Sequence, residues 1–256
     1  VAAESDNGLM LKAAGLMYQP YIENFQATRP LLETVLARSP DNFVALAQQA
    51  VCHTGELLAG YRPISPEDKA LALASAQRAV RLNNTSDFCQ YVLGWALFCC
   101  ERDYQGAEAA LLRSLDLNPN YAFATFGYGM MLAVAGDIED GIARCTRVID
   151  ADPRLQFLAL ASQYGAIAHF RAKRYGEAIH WARQSDSRQA DMARTLLVLA
   201  AASALAGDEE TTKQAANRMM VRYPDFHIAD FGNWPFRDPE PAERLIEGLR
   251  LAGLPE

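Results

Sequence analysis

Phe88, Tyr91, Trp95 and Phe98 are spaced three, four and three residues apart, which puts four aromatic side chains on one face of a helix. Phe123, Phe126 and Met130 repeat that face about 34 residues on, and Leu160, Ile167 and Phe170 extend the row. Side chains of this kind do recognition chemistry, because rigid rings give large contact area at small entropic cost. An apolar row of that length is unusual on a monomer unless something covers it. Three coverings fit the sequence. The row is hairpin core, or the segment after Pro224 fills it with Phe226, Ile228, Phe231, Trp234 and Phe236, or an apolar peptide or helix from elsewhere does.

Residues able to do acid–base, nucleophilic or metal chemistry are present but scattered. There is no G-x-S-x-G, no H-E-x-x-H and no phosphate-cradling glycine loop; Gly127-Tyr128-Gly129 lies inside a helical pattern with no strand before it. His53, His169, His180 and His227 fall on different elements. Glu139-Asp140 and Glu209-Glu210 sit at the starts of helices, where the dipole favours negative charge. Cys99 and Cys100 are helical neighbours whose side chains diverge by roughly 100°, a poor start for a metal site. The chain reads as non-enzymatic, with no cofactor and no metal.

The elements that carry the aromatic row follow a repeating grammar, clearest from Asn118 to Pro153. Apolar and small residues at Ala122, Phe126, Gly129, Met130 and Ala133 mark one helix, and Ile138, Gly141, Ile142, Cys145, Val148 and Ile149 mark a second. Between them, Gly136 is expected to close the first helix in a left-handed conformation and Asp137 to cap the second. Gly129 and Gly141 let the two helices approach, and Pro153 ends the unit. Similar units span residues 9–40, 42–84, 86–119, 159–188 and 190–224, the third with a turn one residue longer. In the second, Ser65 should cap a helix with Pro66 in its first turn, after an insertion at Gly60 to Pro66.

The period, the small residues inside each hairpin and the closing prolines resemble tetratricopeptide repeats. The resemblance implies an all-α fold, a right-handed superhelix of antiparallel helical hairpins closed by a carboxy-terminal capping helix, with residues 1–256 as one repeat domain. It places the aromatic row in a concave groove. Glu101 to Ala124 and Phe236 to Glu256 further resemble the carboxy-terminal repeat regions of bacterial class III adenylate or guanylate cyclases and of related winged-helix transcriptional regulators. That implies a regulatory tail of a signalling protein; a standalone adaptor and a small-molecule sensor are the alternatives.

Bulk properties set the remaining limits. At 50% hydrophobic and 21% charged residues the 256-residue chain folds rather than staying disordered. A net charge of -7 argues against a nucleic-acid surface. Arg171, Lys173 and Arg174 read as a solvated helix end. Five cysteines, odd in number and inside helical patterns, suit a reducing compartment, so a cytoplasmic location is expected. The start carries no signal-peptide pattern, and Leu196 to Ala206, the most apolar run, is too short to span a bilayer. The first residue is not methionine, which suggests a fragment or a processed start. The expected partner is a protein or peptide in the groove, either separate or supplied by the chain's own carboxy-terminal segment or an upstream domain. Homodimerisation is a further arrangement; neither nucleic acid nor membrane is expected.

Overall fold

Short polar residues before apolar stripes decide where the helices begin. Ser65 accepts a hydrogen bond from the Asp68 amide at 3.0 Å with Pro66 in the first turn, as expected, and Ser86, Asp103, Asp137 and Asp208 cap four more helices in the same way. A computed structural model describes residues 4–17, 22–59, 64–151, 157–231 and 236–256. Among these residues the chain is all-helical, with thirteen α-helices and no strand. The first four residues of the insertion expected at Gly60 to Pro66 lie outside the described residues, as does Trp234.

The helices fall into two compact units. The first holds α1 (Asp6–Met17), α2 (Ile22–Arg38), α3 (Phe43–Ala59), α4 (Pro66–Leu82), α5 (Asp87–Ala96), α6 (Tyr104–Leu117) and the start of α7 (Ala122–Ala135). Its hairpins are α1–α2, α3–α4 and α5–α6, and α2 packs on α3 as α4 does on α5. First helices also touch in succession, α1 on α3 and α3 on α5. The longer turn of the third hairpin is real: Leu97–Glu101 winds as a π-helical turn, and Arg102 closes it at φ 57°.

The second unit holds the rest of α7, then α8 (Ile138–Ala151), α9 (Leu158–Arg171), α10 (Tyr175–Arg188), α11 (Ala193–Ala206), α12 (Glu209–Arg222) and α13 (Glu240–Leu251). The close approach expected at Gly141 is present, since a methyl group there would stand 2.6 Å from the Ala133 amide nitrogen. Gly207 closes α11 at φ 77° and Asp208 caps α12, the glycine–aspartate turn in its expected form. Gly136 departs from that expectation, because its backbone is not left-handed. Arg171 supplies the reason. Its guanidinium donates to the carbonyls of Leu132 (3.0 Å), Ala133 (2.9 Å) and Gly136, groups that a left-handed closure would otherwise satisfy.

The basic cluster at the end of α9 is accordingly more than a solvated helix end. Arg171 binds the end of α7, Arg174 pairs with Glu139 of α8, and Lys173 lies 3.2 Å from Glu240 of α13. The last helix closes the carboxy-terminal end by packing on α11 through Leu245, Gly248 and Leu249. Arg244 reaches from it to the carbonyls of Phe170 (2.9 Å) and Arg171 (3.0 Å), and the Ile228 amide donates to the Pro255 carbonyl at 2.8 Å. Phe226, Ile228 and Phe236 are buried.

Candidate functional site

The first helices of successive hairpins in the first unit line a half-open cavity of about 220 Å³. Ala14 and Met17 come from α1, Gln48 and Val51 from α3, Phe88 and Tyr91 from α5, Tyr121 from the residue before α7 and Phe123 from its first turn. Three-residue spacing within α1, α3 and α5 aims each pair at the same space. The rings hold one another in place. Tyr91 meets Tyr121 edge to face, with centroids 5.9 Å apart and planes at 89°, and Phe123 stands 6.0 Å from Tyr91 and 5.9 Å from Tyr121.

Behind the rings lies a polar frame. The Asn118 amide donates to Asp87 Oδ2 at 2.7 Å and the Ser114 hydroxyl to the Asp87 carbonyl at 2.7 Å, fixing the start of α5 and hence Phe88. Burial, aided by the negative charge of Asp87, pushes the Tyr121 phenol well above its ordinary pKa, so it stays a neutral hydroxyl. Gln48 is 7% exposed; its Nε2 donates to the Met10 carbonyl at 3.4 Å, while its Oε1 is buried with no hydrogen-bond partner. Among the described residues no charged side chain lines the space.

Of the ten residues the aromatic spacing singles out, Phe88, Tyr91 and Phe123 line this cavity. The other seven are core. Trp95 (2% exposed) and Phe98 pack together at 5.7 Å, and the π-helical turn directs Phe98 onto Tyr104 of α6. Phe126, also in the first unit, is buried. In the second unit Met130, Leu160, Ile167 and Phe170 are buried, with Arg244 of α13 lying over the Phe170 ring. α9 presents no free face, because α8, α10 and α11 all pack on it. These seven are thus covered by their own chain rather than lying open.

Sequence reasoning missed Ala14, Met17, Gln48, Val51 and Tyr121. The spacing of Gln48 and Val51 matches that of Phe88 and Tyr91, yet a glutamine among alanines carries no apolar signal. The five cysteines are free, four of them buried, and burial raises Cys100 to about 11 and Cys145 to about 12. Among the described residues no cluster of histidine, cysteine and carboxylate could hold a metal, and no helix is long and apolar enough to cross a membrane.

No family model matches the sequence, and no curated protein does. Solved structures do. The chain is similar to PilW, a widely conserved type IV pilus biogenesis factor, with 19% identity, a TM-score of 0.63 and coverage of 90% of this chain and 98% of that one. It is also similar to a tetratricopeptide repeat protein from Parabacteroides merdae at 15% identity, with a TM-score of 0.61 and 90% and 78% coverage. The fold is a tetratricopeptide-repeat array. The Cut9–Hcn1 assembly of the APC/C adds a third likeness, with 13% identity, a TM-score of 0.66 and coverage of 96% of this chain and 46% of that one. At these identities the likeness is one of fold. Within the array, α1, α3 and α5 are the first helices of their hairpins.

Proposed function

We propose that the chain is a non-catalytic protein-interaction scaffold whose recognition surface is the aromatic cavity on the first helices of its first unit. The observation that carries this reading is the convergence of Phe88, Tyr91, Tyr121 and Phe123 from separate repeats on one uncharged space. Rigid rings flanking a cavity suit an apolar anchor from a protein or peptide partner. Scattered histidines and raised thiol pKa values leave no activated nucleophile or general base there. The net charge of -7 disfavours nucleic acid. Free cysteines throughout the chain support a cytoplasmic location.

The second unit has the opposite character. Seating of α13 on α11, with Arg244 across the end of α9, supports occupation of its groove by the chain's own carboxy-terminal helix. Partner binding then concentrates in the first unit. A standalone adaptor and a regulatory tail of a cyclase or transcriptional regulator both fit a scaffold of this fold. The second rests on the sequence resemblance of Glu101 to Ala124 and Phe236 to Glu256. An intact native mass well above 28.2 kDa, with a cyclase or winged-helix domain upstream, would support it, and a matching mass would remove it.

Capture of partners from lysate tests the scaffold reading. A Phe88→Ala, Phe123→Ala double variant should lose partners that the native chain retains, with a cooperative melt preserved. Val221→Ala, at an exposed position on α12, should retain them. Equal recovery by all three proteins would exclude the cavity as the recognition surface.

A further inference from the structure

We infer that the last turn of α9 is an acid-triggered latch, in which protonation of His169 loosens the seat of α13 and uncovers the α11 face beneath it. His169 is 8% exposed, and its Nδ1 is buried with no hydrogen-bond partner among the described residues. Its ring packs on Trp181 of α10, with centroids 5.8 Å apart. Trp181 is itself held in the space that Gly165 leaves, where a methyl group would collide with the indole. A neutral imidazole suits such a place. Imidazolium does not, because both ring nitrogens then carry protons and the one on Nδ1 meets no acceptor.

The surrounding charges leave that balance in place. Arg174, in the turn after α9, and His180 of α10 oppose a positive charge on His169, while Glu177 of α10 and Glu139 of α8 favour it. Glu139 is already paired with Arg174. From α13 come Arg244 and Glu240, which pair with each other, and the one charged side chain of α11, Arg194, stands in its first turn. Burial, with the Arg174 charge, lowers the His169 pKa below its ordinary 6.5. With the folded value below the unfolded one, the stability that goes with neutral His169 is whole above 6.5 and is lost as pH falls through the folded value. The loss thus begins well above the ordinary carboxylate range.

Neighbours in the chain fix what opens. The His169 carbonyl accepts from the Arg174 amide at 2.9 Å, and the next two carbonyls, of Phe170 and Arg171, accept from Arg244 of α13. To be hydrated, the imidazolium must leave the Trp181 ring, and the turn that carries it moves with it. Arg244 then loses both acceptors, and α13 is left with its packing on α11.

Hydrogen exchange of the full chain at about pH 7 and about pH 5, corrected for intrinsic rates, tests the latch. The opening equilibrium of α13 should rise about tenfold at the lower pH, within the limit of about thirtyfold set by roughly 1.5 pH units below the ordinary histidine value. Helices α5 and α6 of the first unit, which carry no histidine, should keep their protection. His169→Gln cannot titrate and should abolish the rise, whereas His180→Gln and His227→Gln, both at exposed positions, should keep it. Should His169→Gln lack a native melt, the imidazole titration of the unaltered chain decides. There His169 should stay neutral below its ordinary value, and its transition should coincide with the loss of α13 protection. Unchanged α13 exchange at the lower pH, a rise that survives His169→Gln, or a His169 transition that leaves α13 protected would overturn the latch.

Discussion

Gly248 of α13 lies against Ala201 of α11 so closely that a methyl group on the glycine would stand 2.8 Å from the alanine Cβ and 2.9 Å from its carbonyl oxygen. No rotamer relieves a backbone contact, so Gly248→Val must push α13 away. The expected loss is about 1–3 kcal/mol, the usual cost of overpacking. Hydrogen exchange should rise in α11 and α13 while the helices of the first unit keep their protection. Unchanged exchange in α11 would show that α13 is not held there.

Arg171 closes α7 in place of a glycine. Arg171→Leu takes the guanidinium donors from the carbonyls of Leu132, Ala133 and Gly136, of which the Leu132 carbonyl keeps the Gly136 amide at 3.0 Å, and should destabilise the second unit by about 2–3 kcal/mol in denaturant melts. Arg171→Lys should recover little, because an ammonium point charge cannot span three carbonyls as a planar guanidinium does. Full rescue by lysine would mean that charge alone matters.

Asp68 anchors a polar cluster in the first unit. It takes hydrogen bonds from His53 and from the Ser65 hydroxyl (3.0 Å), and Arg29 lies 3.4 Å away. Burial by itself would raise its carboxyl pKa, but those hydrogen bonds and the Arg29 charge outweigh it and hold it below the ordinary 3.8. With the folded value below the unfolded one, the stabilisation is complete above the ordinary carboxylate range and is lost as pH falls through the folded value. Asp68→Asn should cost about 2 kcal/mol at pH 7 and flatten the acid limb of the stability profile below pH 4. An unaltered acid limb would assign that limb to other carboxylates.

Truncations along the aromatic row should separate core from cavity. Trp95→Ala, at a side chain 2% exposed, should cost about 3–5 kcal/mol and blunt the cooperative melt. Phe123→Ala, at a half-buried position on the cavity wall, should cost less than half as much. Comparable losses would make Phe123 a core residue and remove it from the recognition surface.

Helical periodicity, caps and the small residues within hairpins are local properties, and they were legible. The repeats, the Ser65 and Asp137 caps and the approach at Gly141 can all be read from spacing, because each depends on residues within one or two turns or one hairpin. The aromatic row was legible as one helix face, but its exposure was not. Whether Trp95 or Phe123 meets solvent depends on what other helices lay over it. A π-helical turn at Leu97–Glu101 carries Phe98 into the hairpin core, and neighbouring helices close over Leu160 and Ile167.

Gln48 marks the limit from the other side. Composition hides it, since nothing in an alanine-rich helix says that one glutamine carbonyl will be buried without a donor. Arg171 likewise carries a charge suited to a helix end, and only the arrival of α7 beside it turns that charge into a cap. The sequence by itself determined the helices, their pairing and the repeat, since backbone hydrogen bonding and apolar period act over short separations. Tertiary structure alone decided which apolar face stays open and which polar atom is left without a partner, because burial is settled by surfaces brought together from distant parts of the chain.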